Sequence, residues 1–359
     1  MINSHVKYFL AANSAEGFVS HFKDCYNPLD GWKVYIIKGG PGTGKSSFMK
    51  FIAKKAQEKN LVAQFFPCSS DPDSLDAVTF PQLKTVIMDG TAPHTVDPDY
   101  AGVCESILNF GSYWDEKKLD GKADEIIRET GINKAFHRLA SSYIKTGGRL
   151  IEENYKLALY NIDLKKISKF SDGLIKKYIP AQNGGGYEWQ RFLSGITPKG
   201  VISYPDTVLS ECSNTVIIRD EYGAASNELL KKIRIAALER GYEIITIKNP
   251  LLPSLLLDGV IIPKLSLGFA REYNFMEYNS PKRRIRAERF LVSDFYQKNR
   301  GTLKFNFNTA TKLLSRASDT LSSAKLSHDR LEKYYIEAMD FESLKGFAEE
   351  FADKIFKKG

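Results

Sequence analysis

The chain has 359 residues, more than one ordinary hydrophobic core accommodates, so two domains are expected. Hydrophobic residues make up 43% and charged residues 26%, the balance of a globular protein, and no uninterrupted apolar run reaches the roughly 18 residues of a membrane span. No membrane partner is expected on that ground, and the apolar run at 8–12 is too short for a signal core; the four cysteines (Cys25, Cys68, Cys104, Cys212) are scattered, which points to a reducing cytoplasm and away from a disulfide framework or a zinc site.

Along the chain, an apolar β-branched run at 34–37 leads into Lys38-Gly39-Gly40-Pro41-Gly42-Thr43-Gly44-Lys45-Ser46-Ser47. Phe48, Met49, Ile52, Ala53 and Ala56 follow at helical spacing. Strand, glycine loop and helix match G-x-x-x-x-G-K-[ST], the Walker A phosphate loop. Gly39, Gly42 and Gly44 let successive amides turn toward one anion, and the helix adds its positive end. Lys45 is placed for the β- and γ-phosphates and Ser46 for Mg²⁺; Gly40, Pro41, Thr43 and Ser47 complete the predicted nucleotide-binding set.

A second strand is predicted at 61–66, then a loop with Ser69, Ser70, Asp71 and Asp73. Asp71 or Asp73 either orients an attacking water or accepts a proton, or the pair is an Asp-Pro-Asp turn. A third strand at 85–88 ends in Asp89, the Walker B pattern, whose carboxylate would hold Mg²⁺ directly or through a water. His94 is read either as a γ-phosphate sensor or as a plain loop histidine. No N-K-x-D guanine signature occurs, since Asn133-Lys134-Ala135-Phe136 lacks the aspartate, so ATP is favoured over GTP.

The chain also repeats itself. Residues 75–83 align with 257–265, and Lys50, Ile52, Ala56 and Glu58 recur as Lys231, Ile233, Ala237 and Glu239, at a shift of about 182 residues. Two domains follow: 1–180, a P-loop nucleotide-binding domain, and 187–359, a degenerate copy, joined by the Gly-rich linker 181–186. Each is predicted as α/β, a doubly wound, mainly parallel sheet with a C-terminal helical appendage. In the second appendage Leu314, Ala317, Leu321, Ala324, His328, Leu331, Tyr335 and Ala338 form an a/d stripe, a place for the two units or a protein partner to pack. The second copy loses the chemistry: Gly39, Gly44, Lys45 and Ser46 become Asp220, Ala225, Ser226 and Asn227, and Asp89 becomes Arg271. Asp76 persists as Asp258 and is read as structural. Arg128, Arg138, Arg149, Arg191, Arg219 and Arg271 are candidate arginine fingers, the last two at strand ends of the copy. Net charge is +8, which admits a nucleic-acid partner; the one dense run, 282–289, is read as a solvated helix face or a polyanion contact.

With K-G-G-P-G-T-G-K-S at 38–46, C-S-S-D-x-D-S-L-D at 68–76 and D-G-T-A-P-H at 89–94, the chain resembles a bacterial family of tandem P-loop ATP-binding proteins over nearly all its length. That resemblance implies ATP binding, with or without hydrolysis. The family's second unit often keeps its own G-x-P-G-T-G-K-S loop, from which Asp220–Asn227 of this chain departs. The expected function is a Mg²⁺-dependent ATPase or ATP-driven switch with one active and one degenerate site, Lys45, Asp89 and Asp71 carrying the chemistry. The alternatives are a small-molecule phosphotransferase and a non-hydrolysing ATP-binding interaction protein.

Overall fold

A computed structural model describes residues 6–279, 281–291 and 294–356. In chain order come a short hairpin, β1 (Ala11–Ser14) and β2 (Gly17–Ser20), then β3 (Lys33–Lys38), α1 (Lys45–Glu58), β4 (Gln64–Pro67), β5 (Leu75–Phe80), β6 (Thr85–Asp89), β7 (Glu105–Asn109), α2 (Glu116–Asp120), α3 (Ala123–Leu159) and α4 (Leu164–Tyr178). The series then recurs: β8 (Tyr187–Phe192), β9 (Ser194–Thr197), β10 (Gly200–Ser203), α5 (Pro205–Glu211), β11 (Asn214–Arg219), α6 (Ala224–Glu239), β12 (Glu243–Lys248), β13 (Leu257–Ile262), β14 (Leu267–Glu272), β15 (Arg283–Arg286), α7 (Phe295–Ala338) and α8 (Phe341–Phe356).

This is a mixed α/β chain with two large sheets of one design. The first runs β4-β5-β6-β3-β7 and the second β15-β11-β14-β13-β12-β8. Read from the opposite edge, β12-β13-β14-β11-β15 repeats the first order strand for strand. Even the parallel pairing of β8 with β12 has its counterpart in a single bridge between Lys7 and Phe65.

The sheets are less parallel than expected. β3 is parallel to β6 and β7, but β5 is antiparallel to both β4 and β6. The second sheet shows the same antiparallel pairs around β13. The missed element in each copy is the strand that served as the repeat anchor. β5 reaches β6 through one 3₁₀ turn, Pro81–Leu83, closed by Lys84 in the left-handed region, and Pro263–Leu265 with Ser266 does the same between β13 and β14. So short a connection cannot carry a parallel crossover.

The compact units do not divide at 181–186. One comprises residues 20–139 with the chain's two ends, up to Ala11 and from Asp319 onward; the other comprises 12–19 and 140–318. In the first, Phe48, Met49 and Ile52 of α1 and Ile37, Val78 and Ile87 of the sheet are packed with Leu344, Phe351 and Ile355 of α8. In the second, α6 and the sheet are packed with Ile167, Leu174 and Ile175 of α4. The closing helices are therefore exchanged relative to sequence order. They are repeat equivalents: Asp163 caps α4 through the Lys166 amide, and Asp340 accepts the Ser343 amide at the start of α8.

The α7 stripe is buried as expected at Leu314, Ala317, Leu321, Ala324, Leu331 and Ala338. Within the first unit Asn133 of α3 donates to the Ala324 carbonyl, and within the second Asn154 donates to that of Leu303. The basic run 282–289 is no helix face. It forms β15, an edge strand paired in parallel with β11, and the 3₁₀ turn after it. No helix among the described residues is long and apolar enough to cross a membrane.

Candidate functional site

The loop after β3 is held by its own sequence. Gly42 and Gly44 take φ of 68° and 83°, the left-handed region, and Gly44 is the residue from which α1 starts. Thr43, the one buried residue of 39–47, donates from Oγ1 to the Gly40 carbonyl at 2.8 Å. Lys45 folds back over the loop: its Nζ donates to the carbonyls of Gly39 (3.0 Å) and Gly40 (2.7 Å) and lies 3.6 Å from Asp89 Oδ2. The pairing of Ile37 with Asp89 across β3 and β6 puts that carboxylate beside the loop. Thr91 donates its amide and its hydroxyl to Asp89 Oδ1 (2.9 and 2.5 Å), which fixes the carboxylate's orientation. Ser46 Oγ accepts the Leu75 amide at 3.0 Å. Lys45, Ser46 and Asp89 are thus gathered at one end of the sheet.

Asp71 is placed differently. Its Oδ2 accepts from the Ser74 hydroxyl at 2.8 Å and lies 3.4 Å from Lys325 of α7, while its carbonyl accepts the Ser74 amide. Of the two readings of Asp71, these bonds match the turn. No hydrogen bond or ion pair among the described residues joins Asp71 to Lys45, Ser46 or Asp89.

Two residues enter more strongly than the sequence suggested. Asp76, read as structural, is 3% exposed and lies 3.4 Å from Nε2 of His94, which is 8% exposed and stacks on Phe22. Burial opposes protonation of this imidazole, but the charge and hydrogen bond of Asp76 outweigh it. Asp89 adds to the effect and Lys45 opposes it, and the pKa stands above its ordinary 6.5. His94 thus feels the charges of both Lys45 and Asp89. Near Asp76, burial and that same carboxylate push the Cys68 thiol well above its ordinary range.

α7 backs the loop. A side chain at Gly40 would meet the Tyr335 ring at 2.7 Å, and one at Gly42 would meet the Glu332 carbonyl at 2.7 Å. On the same helix His328, Asp329 and Glu332 bring their donor atoms within 4.8 Å of one another. Asp329 is already paired with Lys325 and Glu332 with His328.

The second loop is related in build and has an inverted charge plan. Gly223, aligned with Gly42, has φ 80° and starts α6, two aligned positions before the place where Gly44 starts α1. Asp220, which stands where the first loop has Gly39, turns its carboxylate into the loop: Oδ1 accepts the Gly223 amide at 3.0 Å and Oδ2 the Ser226 amide at 2.8 Å. Arg271, which stands where Asp89 does, donates to the carbonyls of Asp220 and Glu221 at 2.8 Å each and lies 3.3 Å from Asp258. In the first loop a lysine on the helix serves the loop carbonyls; in the second an arginine arrives at them from the neighbouring strand. The sequence carried this exchange, since Lys45→Ser226 and Asp89→Arg271 are reciprocal between the repeats. Arg271 is 3% exposed and committed to these partners, so it does not serve as a mobile arginine finger.

Comparison of the chain with family models, with curated proteins and with solved structures found no match.

Proposed function

We propose that the first unit is a P-loop nucleotide-binding domain for Mg·ATP and that the chain is an ATPase or ATP-driven switch whose second unit is a degenerate copy. The observation that carries this reading is Asp220. In the second loop a carboxylate satisfies the amides of Gly223 and Ser226, so the frame accepts an anion at that place. In the first loop the equivalent residue, Gly39, has no side chain to do so, and Lys45 lies against the same loop. An external anion suits one copy and an internal one occupies the other.

The donor set fits a divalent ion. Asp89 Oδ2 already faces a cation, the Lys45 ammonium, and the Ser46 hydroxyl follows Lys45 in α1. Ser46 and Asp89 would hold Mg²⁺, which when bound neutralises charge on the β- and γ-phosphates. Lys45 would exchange its loop carbonyls for phosphate oxygens, and the Gly42–Lys45 amides would orient the triphosphate. His94, 3.4 Å from Asp76, feels the charges of Lys45 and Asp89.

Calorimetric titration with Mg·ATP tests the reading. One nucleotide per chain is expected, and Lys45→Ala should weaken binding about 10- to 100-fold, the loss of a charge-assisted contact. Two nucleotides per chain, or unchanged affinity in the variant, would sink it. Phosphate release without an added acceptor supports the ATPase reading. Tight binding without turnover supports the non-hydrolysing ATP-binding interaction protein instead.

A further inference from the structure

We propose that α4 and the β15 edge of the second unit form a docking surface for the phosphate backbone of a nucleic acid. The inference is independent of the nucleotide reading.

Charge distribution is the first support. α4 and its Asp163 cap carry five lysines against two aspartates, and 282–290 carry one lysine and four arginines against one glutamate: together +7 of the chain's +8. The rest of the protein is nearly neutral, so the excess is a patch and not a general property. The five lysines of α4 are exposed because its apolar face, Ile167, Leu174 and Ile175, is buried in the core.

The two segments form one surface. Lys166 Nζ donates to the Arg289 carbonyl at 2.6 Å, and the guanidinium groups of Arg289 and Arg283 lie 5.1 and 5.9 Å from the centre of the Phe170 ring. Arg284 is paired with Glu272. Among the described residues no carboxylate lies within ion-pair distance of Lys177, Lys282, Arg283, Arg286 or Arg289. Between the segments opens a concave site of about 360 Å³ lined by Lys177, Tyr178, Asn214, Thr215, Lys282 and Arg283. Arg283 and Lys177 both line this site with Tyr178 and hold the pKa of its hydroxyl below the ordinary 10.0. That is the chemistry of a phosphodiester subsite on a basic track, with arginine planes stacked on rings beside it.

An acidic membrane fits less well. A helix lying in a bilayer interface needs its apolar face, and that of α4 is spent in the core. The Phe170 ring lies between the two guanidinium groups and Phe290 and does not project as an anchor.

The test uses the full chain and a fluorescein-labelled oligothymidylate of about 20 nucleotides, read by anisotropy. With Lys177, Lys282, Arg283 and Arg289 engaged, log affinity should fall against log salt with a slope of about −2.8, an affinity loss of about 50-fold between roughly 50 and 200 mM. A mixed-base strand of equal length should bind alike. Lys177→Glu with Arg283→Glu should weaken binding at least about 10-fold and flatten the slope, whereas Lys117→Glu with Lys118→Glu on α2 should not. Lys177→Gln with Arg283→Gln, which adds no repulsion within the fold, should weaken binding in the same direction, and Lys45→Ala should leave it unchanged. No binding at the lowest salt, equal affinity in the Lys177/Arg283 variants, or capture by anionic vesicles in place of the oligonucleotide each overturns the proposal.

Discussion

His94 and Asp76 are two side chains whose pairing the sequence left unread. Asp76 recurs as Asp258, which argued for a structural part, and it has one: in the second copy Asp258 accepts from Asn249 and Tyr273 and faces Arg271. In the first copy those partners are absent from the sequence and a buried histidine takes their place. Recurrence of a residue therefore did not fix its use. The phosphate loop, by contrast, was legible residue by residue, because its conformation depends on glycines at fixed spacing and on no distant partner. The pairing of His94 with Asp76 has a thermodynamic consequence. Its pKa is raised in the folded state, so the protonated pair contributes stability that is full below the ordinary value near 6.5 and is lost as pH rises through the higher folded value. Thermal unfolding followed from about pH 6 to about pH 9 should show a decline in the parent that is absent in His94→Gln. Equal slopes in the two proteins would remove the ion pair from the account.

At the level of elements, helical pattern marks an appendage at the end of each repeat, and α4 and α8 stand there. It could not report what covers them. An apolar stripe specifies burial, not a partner, and two repeat-equivalent helices with equivalent caps have equivalent stripes. The antiparallel β5 and β13 escaped for a related reason: a short apolar run ending at Pro81 or Pro263 carries no direction. The exchange of helices makes a prediction that sequence order would reverse. Phe351 of α8 packs edge-on to Tyr35 of β3 at 4.7 Å and lies 5.3 Å from Phe48 of α1. Phe351→Ala should cost about 3–5 kcal/mol, the range for truncating a buried aromatic. Hydrogen exchange should show faster opening in β3 and α1, at residues 33–58 of the amino-terminal half, while β11 and α6 keep their protection. Loss of protection confined to β11 and α6 would assign α8 to the other core.

For the whole molecule, the repeat suggests a natural cut at 181–186, and the structure argues against it. A chain of residues 1–180 holds the first sheet and α1 but lacks α8, and it carries α4 with its apolar face uncovered. Leu344, Phe351, Ile355 and Phe356 are each less than a tenth exposed in the first unit. At about 1.5–3 kcal/mol apiece their burial is comparable to the roughly 5–15 kcal/mol by which a whole domain is stable. A fragment without them has little margin and presents two apolar surfaces instead of none. Residues 1–180 expressed alone should therefore aggregate or lack a cooperative thermal transition. Co-expression with 187–359 should restore a soluble complex, because each fragment brings the helix the other core requires. The readouts are size-exclusion chromatography and circular dichroism melting. A soluble, cooperatively melting 1–180 monomer would mean that α4 can close the first sheet as sequence order suggests, and the two closing helices would then be interchangeable.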